Sequence, residues 1–152
     1  MKKFRFALEP VLEQRRRIEE TKQQIVSQRL LELQKAEDDL NELHGQYSGN
    51  SERLRDGHQH FSTEDLRLYY AHLEYLDRAI TTQHAIVAQR KSAVEKARVE
   101  LLQATKERKA VEKLKERKHT EWAANAARLE QNELDDSNAR RFVRAQFSGG
   151  YS

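Results

Sequence analysis

The chain has 152 residues, of which 35% are charged and 37% apolar, with one Pro, five Gly and no Cys. That is too little apolar surface to offset the ordering entropy of a compact globular domain, and without Cys there is no disulfide framework or thiolate chemistry. No run of about 18 apolar residues occurs, which excludes a membrane span, and 28 basic against 25 acidic residues leave a net charge of only +3, weak grounds for a nucleic acid partner.

The start, Met1-Lys2-Lys3-Phe4-Arg5-Phe6, is basic, but Glu9 and Glu13 arrive where a signal peptide needs an apolar core. Pro10 suits the first turn of a helix, where its missing N–H would be unpaired anyway. A first helix is predicted over about residues 8–50. Leu8, Val11, Arg15, Ile18, Lys22, Ile25 and Arg29 step in threes and fours, and Leu33, Ala36, Leu40, Leu43 and Tyr47 continue after an extra four-residue step. Such a stutter unwinds a supercoil locally without breaking the helix. Arg15, Lys22 and Arg29 can lay only their stems along such a seam.

Gly45, Gly49 and Gly57, with Ser48, Asn50, Ser51 and Asp56 among them, predict a turn-rich segment over about 45–61. A second helix is expected over about 62–140, opened by Ser62-Thr63-Glu64-Asp65, a capping hydroxyl followed by early acids. No Gly or Pro then appears before Gly149. Within it Leu66, Leu73, Ile80, Val87, Val94 and Leu101 recur every seven residues, with Tyr69, Leu76, Gln83, Arg90, Ala97 and Ala104 three positions on. This is a heptad seam with one row strong and the other weakening. Arg108 and Lys115 occupy the next two positions, and beyond them Val111, Leu114, Trp122 and Leu129 form a sparse stripe. Residues 147–152 are expected to be a disordered tail.

Two helices joined by a short turn-rich segment run antiparallel. The expected fold is therefore all-α, a long antiparallel two-helix coiled coil in one domain over residues 1–146, with the second helix the longer. Exchange of helices between two chains stays open.

No phosphate loop, nucleophile elbow or helical zinc-binding histidine pair is present, so neither catalysis nor a bound cofactor is expected. His58 and His60, with His44 nearby, lack the carboxylates or thiolates that would complete a metal site and read as exposed loop histidines. Residues 106–118 hold seven basic and three acidic side chains. They form either a solvated face with local pairs, such as Glu112 with Lys115, or an electrostatic contact for an acidic partner. Arg15, Arg16 and Arg17 read as a solvated face. Trp122 either packs on Phe4, Phe6 and Leu8 or stands out as a partner anchor. Tyr69 lies on the seam, so at least one of Tyr70 and Tyr75 is expected to face outward near the turn, a docking point for a partner.

Three segments resemble the FliJ family of the flagellar type III export apparatus: the opening Phe4-Arg5-Phe6-Ala7-Leu8-Glu9-Pro10-Val11-Leu12-Glu13-Gln14-Arg15, then Leu73-Glu74-Tyr75-Leu76-Asp77-Arg78-Ala79-Ile80, and the basic stretch from Arg108 to Lys118 closed by Glu133-Leu134-Asp135-Asp136. The resemblance implies a cytoplasmic coiled-coil protein at the inner-membrane face of the flagellar base. It would insert as a central stalk into the hexameric export ATPase, promote its assembly and ATP hydrolysis, and contact the export gate and export chaperones. By the same resemblance the ATPase-facing residues are Phe4, Phe6, Lys109, Lys113, Lys115, Arg117, Lys118 and Trp122, and the gate-facing ones His72, Leu76, Ala79 and Gln83. The other expectation is a general coiled-coil scaffold or the stalk of a virulence secretion system.

Overall fold

The computed structural model describes residues 2–149. They form two α-helices, α1 over Glu9–Gly57 and α2 over Thr63–Ser148, and no strand. The expected all-α hairpin with a longer second helix is what the chain adopts: α1 has 49 residues and α2 has 86.

Glu9 and Pro10 occupy the first turn of α1, an acid against the positive end of the helix dipole and a residue with no N–H to orphan. Just ahead, the Glu9 amide donates to the Phe6 carbonyl at 3.1 Å and the Leu12 amide to the Leu8 carbonyl at 2.9 Å.

The turn-rich segment is shorter than its glycines suggest. α1 runs through Gly45 and Gly49 and stops at Gly57, not near residue 50, and the connection is confined to residues 58–62. A glycine costs a helix about 1 kcal/mol, less than a buried leucine contributes. Leu54, 7% exposed, holds the last turns in register.

Gly57 leaves room for the ring of the connection to lie against the helix end. A Cβ there would come within 2.7 Å of the Phe61 ring, which folds back over the helix end and stacks on Tyr69 at 4.9 Å. The expected cap on α2 is present as a reciprocal box: the Asp65 amide donates to Ser62 Oγ at 3.2 Å, and the Ser62 amide to Asp65 Oδ2 at 3.3 Å. α2 continues past residue 140 to Ser148, so Phe147 and Ser148 are helical, contrary to the expected tail; Gly150, Tyr151 and Ser152 lie outside the described residues.

Contacts gather the chain into two compact units, Ile18–Thr105, and Met1–Arg17 with Lys106–Ser152, each drawing on both helices. In the first, the heptad row divides by depth: Val87 and Val94 are buried, while Leu66, Leu73, Ile80 and Leu101 are half-buried. The row three positions on is buried at Leu76, Ala97 and Ala104, facing a partner stripe on α1 with Ala36 at its most buried point. Gln83 donates from Nε2 to the Ala36 carbonyl at 3.0 Å. Antiparallel pairing shows in the ion pairs, Lys22 with Glu100 at 3.3 Å and Arg90 with Glu32 at 3.9 Å. These groups are partly exposed, so each pair contributes well under about 1 kcal/mol and serves mainly to fix register.

The second unit continues the same alternation with Arg15 Nη1 on Glu107 at 2.6 Å, Arg16 on Glu112 at 3.6 Å and Lys115 Nζ on Glu9 at 2.8 Å. Its deepest side chain is Leu12, with no exposed surface.

Candidate partner-binding surfaces

The basic run of residues 106–118 separates into two sets. Arg108 and Lys115, which fall on the continuing heptad row, turn inward to acids: Arg108 to Glu112 at 2.7 Å and Lys115 to Glu9. Glu112 is thus taken by Arg108 and Arg16, not by Lys115 as local spacing suggests. The opposite set is Lys106, Lys109, Lys113 and Arg117, all exposed and three or four residues apart, hence on one helix face. Among the described residues none of these four has an ion pair. Lys118 sits beside them with Glu121 at 3.5 Å. Four cations on a solvated face, with Glu116 and Glu121 beside Lys113 and Arg117 but in no ion pair with them, form a ridge with an excess of positive charge; their like-charge repulsion is relieved when an anionic surface covers them.

Next to this ridge, in the same unit, the segment before α1 lies over α2. Phe4 meets His119 edge-on, ring centroids 5.0 Å apart, and Trp122 at 5.9 Å. Phe4, Phe6, Leu8, Leu114 and Trp122 border a groove of about 410 Å³. Trp122 therefore satisfies the packing expectation, and its other face still borders a second groove with Lys2, Ala126 and Leu129. An aromatic ring half in contact and half available, ringed by charge, is the residue type that dominates interface energetics.

The residues expected to face the export gate divide. Leu76 is 1% exposed and Gln83 is bonded to the α1 backbone, so both face α1. His72 is exposed and stacks on Tyr75 at 6.2 Å, and Ala79 is half-buried. Leu68 and Tyr75 join His72 on that outer face, 70% and 64% exposed. Sequence reasoning missed Leu68; its spacing of four to His72 and seven to Tyr75 was the available signal.

Among the described residues no group of three or more His, Asp or Glu side chains is arranged to hold a metal ion, and no helix is long and apolar enough to cross a membrane. His44 stands apart from His58 and His60.

An antiparallel helical hairpin whose chemistry lies on its outer helix faces is the class these observations define. The chain belongs to the flagellar FliJ family, whose profile matches residues 4–147. That membership makes it a component of the type III export apparatus, in a family that is not enzymatic. No curated protein matches it. Among solved structures it is similar to CT670 of Chlamydia trachomatis, described as a candidate YscO homolog, at 21% identity over 99% of this chain and 100% of that one, with a TM-score of 0.49.

Proposed function

We propose that this protein binds the hexameric export ATPase as its central stalk through the ridge of Lys106, Lys109, Lys113 and Arg117 and the adjoining Phe4–Trp122 cluster. There it promotes ring assembly and ATP hydrolysis. The observation that carries the reading is the division of the basic run: in a member of an export family, the inward cations are neutralised within the chain and the outward four are left for a partner. An acidic ring interior would satisfy them. A stalk that touches unequal subunits at once couples ring asymmetry to nucleotide state through the difference in contact energy. Phe4, Phe6 and Trp122 supply apolar contact, while Lys115 and Lys118 act indirectly by holding the helix face in place.

The same reading assigns the outer face of early α2, with His72, Tyr75 and Ala79, to the export gate, with Leu76 and Gln83 supporting it from beneath. Export chaperones are further partners, and the protein works in the cytoplasm at the inner-membrane face of the flagellar base through those partners.

The triple substitution Lys109→Glu, Lys113→Glu and Arg117→Glu tests the electrostatic contact. Stimulation of ATP hydrolysis by the export hexamer is expected to be abolished at low ionic strength with unchanged far-UV circular dichroism. Wild-type stimulation should weaken as salt approaches about 1 M, where screening extends to within about 3 Å. Full stimulation by the triple variant rejects the ridge as the contact. Lys115→Glu is the contrasting variant: it sets a carboxylate against Glu9 and loosens the start of α1.

A further inference from the structure

His44 on α1 and His84 on α2 stand forty residues apart in sequence and face each other across unit Ile18–Thr105, their ring centroids 5.6 Å apart and their planes at 69°. Both are exposed, and neither has a role in the seam or in the surfaces described above. We propose that this pair holds one divalent transition-metal ion of the zinc, copper or nickel class, clipping α1 to α2, with water completing the coordination shell.

The geometry suits that class. Imidazole nitrogens bind such ions at about 2.0–2.1 Å, and two rings on adjacent tetrahedral positions then lie with centroids roughly 5 Å apart. The observed spacing is within reach of a small rotation about each side chain. Binding opens the edge-to-face arrangement so that one nitrogen of each ring meets the ion, and because each ring sits on a helix and not on a loop little backbone freedom is lost in doing so. The outward residues one turn away, Asn41 and Ser48 on α1 and Thr81 and Ala88 on α2, carry no charge, so no cation on these turns opposes an arriving ion. Imidazole without carboxylate selects the borderline metals over magnesium or calcium, which require oxygen ligands. Two protein ligands make an open site, which binds more weakly than a closed four-ligand structural site.

The ion binds only when the two helices are adjacent, so it favours the folded hairpin by mass action. With zinc chloride at about ten times the dissociation constant, the folding equilibrium constant should rise roughly tenfold. That corresponds to a rise in Tm of about 3–6 °C for a chain of this size. His44→Ala and His84→Ala, each changing only an exposed side chain, should fold as the parent does and lose the rise. His58→Ala and His60→Ala should keep it. Paramagnetic copper sulfate should broaden the imidazole signals of His44 and His84 together, before those of His72 and His119. A Tm that does not respond to zinc, a response that survives His84→Ala, or broadening centred on His58 and His60 would each overturn the assignment.

Discussion

Among the described residues Leu12 and Leu76 are the two large side chains all but withdrawn from water, one in each unit. A two-helix hairpin covers only one side of each helix, so most seam residues keep some exposure and these two carry an outsized share of the apolar contribution. Leu12→Ala should cost about 2–3 kcal/mol in urea denaturation with an unchanged m value, the lower part of the range for leucine truncation because a thin core can partly collapse. Leu31→Ala, at a position 72% exposed, should stay within about 0.5 kcal/mol of the parent. Equal effects at the two sites would contradict this picture of the core. The sequence pattern placed Val11 on the seam, and Val11 is half-buried, but Leu12 beside it is the deeper residue. A helix of 3.6 residues per turn drifts against a seven-residue repeat. At its start a further side is open to cover from the segment that precedes the helix. Periodicity records the drift but not the cover.

At the scale of elements, the heptad row of α2 was legible because six apolar residues at one spacing admit a single face, and the Ser62 cap was legible because hydroxyl and acid stand in a fixed local relation. The end of α1 was not, because glycine marks a cost and not a stop. Gly45 and Gly49 lie inside α1, where an added Cβ meets nothing within 4 Å. Gly45→Ala and Gly49→Ala should therefore each stabilise the hairpin by about 0.5–1 kcal/mol, seen as a rise in thermal midpoint. A loss at either would mean that the chain turns there. Which cations of the basic run face outward was equally hidden. Seven basic residues in thirteen look alike until the register of α1 shows that Glu9 lies opposite Lys115 and Arg16 opposite Glu112. The approach of His44 to His84 depends on register in the same way and has no local signature.

For the molecule as a whole, burial is distributed unevenly along the chain. From residue 127 to residue 148 every side chain of α2 is exposed, including Leu129, Leu134, Phe142 and Phe147. Helices without tertiary contact are marginal, so this stretch contributes little to folding. A chain ending at Ala126 should unfold within about 0.5 kcal/mol of the full one, and amide exchange in the full chain should be fastest beyond residue 127. A loss above about 1 kcal/mol would show that these residues hold the hairpin together. The fold class could be read from composition and period because both belong to many residues at once. The export-apparatus assignment came from the order of three moderately specific segments and is carried by the family match over residues 4–147. The candidate contact surfaces were only half legible: the sequence supplied the residue types, and the pairing of helices decided which of them remain accessible.

The charged rungs between the helices are not arbitrary in sign. Arg15 and Lys22 stand seven apart on α1 and meet Glu107 and Glu100, also seven apart, on α2. Were two molecules to zip together through equivalent helices, guanidinium would oppose ammonium in one arrangement and carboxylate would oppose carboxylate in the other. Both are repulsive. The polarity of the rungs thus discourages pairing of like helices in a crowded setting and keeps each leading helix committed to a complementary mate.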